Sequence, residues 1–184
     1  MSLETISRSK VGGIIIRGLA SVMESPLRYR LSAPRKILSG ASTEKAESVL
    51  EIGCGTGYFT LPAADMIGRS GGSLIAIDVL SDSVALVTQR ANAAGLKNVR
   101  VLQADATDTG LESGTFDLVL LFGVIPAPMI ALDKLIAEIH RLLRTDGRLA
   151  VWPHVPGWLP GAILKSGLFT YSAKQDGVHN FVRC

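Results

Sequence analysis

From residue 48 onward, short apolar runs of strand length alternate with longer stretches of helical spacing, and no other feature restricts the fold as much. "SVLEIG" (48–53), "GSLIAID" (72–78), "NVRVLQAD" (98–105), "TFDLVLLFG" (115–123) and "RLAVWP" (148–153) read as strands. A run as apolar as 115–123 suits a strand buried on both faces, the habit of a parallel sheet. Between the strands, "YFTLPAADMIG", "DSVALVTQRANAA" and "PMIALDKLIAEIHRLLR" carry apolar residues at helical spacing. Pro62 fits only a first turn. Ser81 is placed to cap the second helix and Gly95 to stop it. In the third helix Ile130, Leu135, Ile139 and Leu142 fall near one face, with Asp133, Lys134, Glu138 and Arg141 near the other. "TDG" closes it. A short helix near "LPGAILKSG" then precedes the strands "LFTYSA" and "VHNFVR", with "KQDG" as a hairpin turn between them. Such alternation builds a doubly wound, mostly parallel α/β sheet, closed here by an antiparallel hairpin.

The composition agrees with one compact domain. Hydrophobic residues make up 47% and charged residues 19% of 184, which excludes a disordered chain. Residues 46–184 form the core, and residues 1–45 read as a helical cap across its ligand-bearing rim. The net charge is only +3. Arg17, Arg28, Arg30, Arg35 and Lys36 cluster ahead of the core; a solvated helix face accounts for them, and nucleic acid is disfavoured as a partner. The apolar segment "VGGIIIRGLASVM" is shorter than the roughly 20 residues of a membrane span and is broken by Arg17. It reads as a docking helix, with no membrane span. The two cysteines, Cys54 and Cys184, make neither a disulfide framework nor a metal cluster, so no metal is expected and a reducing, cytoplasmic compartment is the default.

The first strand runs into "EIGCGTGYF". Three alternating glycines, Gly53, Gly55 and Gly57, are costly in backbone entropy and belong where a chain turns sharply or approaches a ligand. In a doubly wound sheet, ligands sit beyond the carboxyl ends of the strands, where this loop lies. A P-loop would follow its last glycine with Lys and Ser or Thr; here Tyr58 and Phe59 follow. A dinucleotide fingerprint is G-x-G-x-x-G, whereas this loop is G-x-G-x-G. The loop's lack of cations points to a ligand that brings its own positive charge. Asp78, ending strand two, can accept both hydroxyls of a ribose, or can cap the helix that follows. Val79 and Leu80 offer an apolar face to a purine. Asp105 and Ala106, ending strand three, can meet the purine edge, and Asp105 can equally cap a turn. Cys54 reads as a small loop filler rather than a nucleophile.

"VLEIGCGTG", Asp78, "QADA" and "FDLVLLFGVI" together resemble the motifs of class I S-adenosylmethionine-dependent methyltransferases. The resemblance covers nearly all of residues 40–184. It implies a seven-stranded sheet of order 3-2-1-4-5-7-6 and S-adenosylmethionine as methyl donor, with S-adenosylhomocysteine as product. It also implies that Glu51 and the glycine loop, Cys54 included, line the methionine end. Asp78 would bind ribose, Asp105 and Ala106 adenine, and Phe122 and Gly123 would line the floor near the sulfonium. The acceptor would meet the loops after strands four and five and the N-terminal segment, which points to Val124, His154 and Tyr29. His154 is placed to act as a base, although a surface role fits it too; no catalytic residue is assigned. "FGVIPAPM" lacks the Asn/Asp-Pro-Pro-aromatic turn of enzymes that methylate base amines, so a small-molecule acceptor is expected. A second copy of the chain is a candidate partner. The alternatives are a nicotinamide-dependent oxidoreductase on a related sheet, and a non-catalytic S-adenosylmethionine- or RNA-binding module.

Overall fold

A computed structural model of the chain describes residues 33–125, 130–153 and 161–184. Tyr29, His154 and most of the expected N-terminal cap lie outside these residues. Five strands run parallel: β1 (Ser48–Ile52), β2 (Ser73–Asp78), β3 (Val99–Gln103), β4 (Phe116–Phe122) and β5 (Leu143–Trp152). β6 (Phe169–Gln175) and β7 (Val178–Arg183) form the closing hairpin, and β7 is antiparallel to both β5 and β6. The order across the sheet is β3-β2-β1-β4-β5-β7-β6, as the family resemblance implied.

Helices cover both faces because the strands alternate their burial. Val49, Leu74, Leu118, Leu120 and Ala150 face the side of α1 (Pro34–Gly40) and α2 (Thr60–Gly68). α3 (Ser81–Ala93) sits against Ala76 through Val87. Leu50, Ile52, Ile77, Val119, Leu121, Leu149 and Val151 face the other side, with α4 (Leu132–Leu142) and α5 (Gly161–Lys165). β4 is buried along its whole length, as expected for the strand at the centre. Each large aliphatic side chain fully buried here stabilises the fold by about 1.5–3 kcal/mol.

Residues 33–45 share this core. Ile37 and Leu38 are buried with Val49 and Ile67, and a Cβ on Gly40 would lie 2.5 Å from the Gln175 carbonyl. Arg148 donates to the Ala41 carbonyl at 2.8 Å, and Asn180 to that of Gly40 at 3.0 Å. Arg35 pairs with Asp65 and so joins α1 to α2.

Three local expectations need correction. Ser81 does not cap α3: it is the first helical residue, and no side chain bonds at the cap. Instead the Asp78 carboxylate accepts the N–H of Leu80 at 3.0 Å. The helix before β5 stops at Leu142, and the strand starts at once with Leu143 beside Phe116. The "TDG" segment then bulges, because the next pair is Leu118 with Arg148 and Asp146 has a φ of 61°. Glu138 is not on a solvated face. It is 8% exposed, paired with Arg141 and hydrogen-bonded by Thr109 of the loop that precedes β4.

Candidate functional site

At the end of β1 the backbone leaves the sheet over the end of β2, where the N–H groups of Gly53 and Cys54 both donate to the Ile77 carbonyl, at 2.8 and 3.0 Å. Gly53, Gly55 and Gly57 then have φ of 79°, 53° and 86°, the left-handed region that side chains resist. Their surroundings differ. A Cβ on Gly53 would lie 2.6 Å from Val124 Cγ2, and one on Gly57 3.3 Å from Val87, whereas one on Gly55 would meet nothing within 4 Å. Space is therefore tight at the first position and close at the third, and the middle of the loop opens on space.

Two carboxylates flank this loop. Asp78 Oδ2 accepts the N–H of Gly55 at 2.9 Å and Oδ1 that of Leu80 at 3.0 Å. Both readings of Asp78 therefore have a physical basis: it fixes the helix entry, and each oxygen keeps a second lone pair to offer. Glu51 is 2% exposed, and its Oε2 has no hydrogen-bond partner. Burial pushes its pKa up to about 7; the nearby Thr60 hydroxyl opposes the shift and the Asp78 charge adds to it. No hydrogen bond of good geometry joins Thr60 to Glu51, since Thr60 Oγ1 and Thr56 Oγ1 are themselves buried without partners. Buried polar groups are nearly always satisfied, so unpaired ones beside an open loop need an explanation. Cys54 is buried, and burial together with the charges of Glu51 and Asp78 pushes its thiol up, away from nucleophilic thiolate.

The other expected residues line the same carboxyl edge. Ala104 N–H donates to the Asp78 carbonyl at 3.1 Å, which sets the 105–106 turn beside Asp78. Asp105 is exposed; its Oδ1 takes both the N–H and the hydroxyl of Thr107 at 2.8 Å, so it does cap a turn. Ala106 is half-buried, and Val79 is an exposed apolar side chain. At the end of β4 the Phe122 ring turns into the core, 5.1 Å from Phe59, which in turn meets Trp152 at 5.7 Å. Gly123 has a φ of 71° and open space at its Cβ position, while Val124 abuts Gly53. Following the strand order, one row runs from residues 105–106 through 78–79 and the glycine loop to 122–124.

Sequence reading missed three members of this edge. Thr56 and Thr60 carry no local signal; the fold buries both hydroxyls without partners and brings Thr60 beside Glu51. Arg90 of α3 donates to the Thr56 carbonyl at 2.7 Å. The loop's own sequence is free of cations, yet the fold brings it a guanidinium, directed at a backbone carbonyl.

A family model described as "Methyltransferase domain" matches residues 43–179, most of the chain. The chain belongs to the class I S-adenosylmethionine-dependent methyltransferases. Nocamycin O-methyltransferase of Saccharothrix syringae is 32% identical over 122 residues, which cover 66% of this chain and 43% of that protein. Demethylmenaquinone methyltransferase of Listeria welshimeri is 27% identical over 143 residues, covering 74% and 59%. The chain thus spans about half the length of these relatives. Among solved structures, a SAM-dependent methyltransferase from Aquifex aeolicus shares the fold, with a TM-score of 0.68, 21% identity and coverage of 100% and 98%. The [4+2]-cyclase SpnF also shares it, with a TM-score of 0.63, 23% identity and coverage of 77% and 57%.

The family's donor is a nucleoside with an amino-acid tail and a positively charged sulfur, and the residues on this edge suit it. Two carboxylates and two unpaired buried hydroxyls accept hydrogen bonds and attract positive charge. A phosphate at this loop would be repelled by the Asp78 carboxylate.

Proposed function

We propose that this chain transfers the methyl group of S-adenosylmethionine to a small-molecule acceptor by in-line displacement. One observation carries the reading: an open, left-handed glycine loop lies between Asp78 and a buried Glu51 whose Oε2 has no partner within the protein. Glu51, Gly53, Cys54, Gly55 and Gly57 are assigned to the methionine end. Asp78 takes the ribose, Val79 lies against the purine face, Asp105 and Ala106 take the adenine edge, and Phe122 and Gly123 the floor beneath the sulfur. Val124, Tyr29 and His154 are assigned to the acceptor.

Bound S-adenosylmethionine supplies a methyl group already activated on a cationic sulfur. What the chain's residues add is orientation and exclusion of water. Alignment alone can lower a barrier by roughly 7–11 kcal/mol. The two acids favour a cationic ligand over its neutral counterpart, which favours donor over product. No general base is assigned. The relatives named for nocamycin and demethylmenaquinone support a small organic acceptor, and both cysteines being free supports a reducing, cytoplasmic location.

The test is calorimetric titration of the purified chain with S-adenosylmethionine, S-adenosylhomocysteine and NAD, followed by transfer of a labelled methyl group to pools of small molecules. Binding of the first two and label in a small product are expected. Binding of NAD alone would end the reading. Binding without transfer to any pool would place the chain with fold relatives that do other chemistry.

A further inference from the structure

The segment between β3 and β4, residues 104–115, has neither helix nor strand, yet it follows directly from the residues assigned to adenine. Its shape is set by two side chains of α4. Glu138 Oε1 accepts the N–H of Thr109 at 3.0 Å and the Thr109 hydroxyl at 2.6 Å. Arg141 holds the same carboxylate with two bonds, Nε to Oε2 at 2.8 Å and an Nη to Oε1 at 2.7 Å. The guanidinium also donates to the Leu111 carbonyl at 2.8 Å and the Ser113 hydroxyl at 2.7 Å. Within the segment, Asp108 N–H donates to the Asp105 carbonyl at 3.1 Å, and Asp105 Oδ1 gathers both donors of Thr107. Hydrogen bonds thus tie α4 to Thr109, and one peptide link carries that anchor to Asp108 of the hydrogen-bonded 105–108 turn.

We propose that Glu138, seated by Arg141, is a positioning residue for adenine recognition: through Thr109 it fixes the turn on which Asp105 and Ala106 meet the purine edge. The inference rests on the adenine assignment made above. A carboxylate suits the task because an ionised acceptor makes stronger hydrogen bonds than a neutral one and can take several donors at once. The Arg141 guanidinium, with help from Thr109, holds the Glu138 pKa down at about 2, so the clamp stays ionised across the working pH range. Neither residue touches the reacting atoms.

The experiment measures discrimination as well as affinity. Full-length wild type, Thr109→Val, Glu138→Ala, Glu138→Gln and Asp105→Ala are titrated with S-adenosylhomocysteine and with S-inosylhomocysteine, in which an oxygen replaces the exocyclic amine. Wild type is expected to prefer the adenine form. Thr109→Val and Glu138→Ala should cut that preference about tenfold, the worth of one charge-assisted bond. Glu138→Gln, which keeps an acceptor for Thr109, should retain part of it. Loss of stability alone lowers the folded fraction and cannot change a ratio of affinities. If Glu138→Ala does not fold, Thr109→Val, which keeps the backbone donor, decides. An unchanged ratio in Thr109→Val alongside a reduced one in Asp105→Ala would overturn the proposal and leave the adenine assignment standing. A wild type without preference, or one unaltered by Asp105→Ala, would overturn both.

Discussion

Glu51 and Glu138 are both shielded from solvent, at 2% and 8% exposure, and their chemistry is opposite. Glu138 accepts hydrogen bonds at both oxygens from Thr109 and Arg141, and its pKa is pulled down to about 2. Glu51 has one oxygen with no partner and a pKa pushed up to about 7. The clamp around Glu138 is complete within the chain, so its task is to hold protein to protein. The group around Glu51 is incomplete, and an incomplete buried polar group asks for something from outside. Burial alone does not separate a structural acid from a binding one; the count of partners does.

The comparison can be broken or sharpened by experiment. The largest effect is expected at the open end. Asp78→Ala should weaken S-adenosylhomocysteine binding about 100-fold by calorimetry, since two hydroxyl bonds to a charged group are lost. Next, Arg141→Ala would turn the clamp into a second orphan. Unfolding in urea should show a loss of about 2–3 kcal/mol, and the Glu138 pKa followed by NMR should rise. Glu51→Gln should act in the other direction. Between pH 4.5 and 7 folded Glu51 holds a proton that the unfolded chain has released, so ligand-free stability falls as pH rises through that window. The total is about 3 kcal/mol at most. Glu51→Gln should flatten that slope and be about 2 kcal/mol more stable than wild type at pH 8. Equal slopes in both proteins would mean that Glu51 is solvated after all. The smallest effect concerns the clamp in acid. Glu138 stabilises the fold above pH 4.5, and that contribution fades as pH falls toward 2; the fading should be missing from Glu138→Gln when urea curves at pH 3, 4 and 5 are compared.

The sheet was legible because its signals are local and periodic. Each strand that encloses the site came from a short apolar run, and the glycine loop from residue types that only a bend or a ligand justifies. What escaped was the pairing of side chains far apart in the chain. The helical spacing of α4 put Glu138 on the polar side, and nothing near it says that a loop some 29 residues earlier will supply its donors. The same holds for Thr60 beside Glu51 and for Arg90 reaching Thr56. Ser81 misled for a related reason: cap preference is a local rule, and the helix begins one residue earlier than that rule placed it, with Leu80 at the cap and its N–H held by the Asp78 carboxylate of the preceding strand. Such residues are set by the meeting of elements rather than by any one of them.

The position of β7 bears on how the molecule is born. It is the last of the seven strands to leave the ribosome, yet it sits inside the sheet between β5 and β6, with Phe181 fully buried. Until residues 178–183 emerge, the nascent chain carries a bare flank on β5, and β6 has nowhere to dock. Completion of the sheet is thus a late, long-range event, and a chaperone that shields that flank during translation would protect it from joining the wrong neighbour.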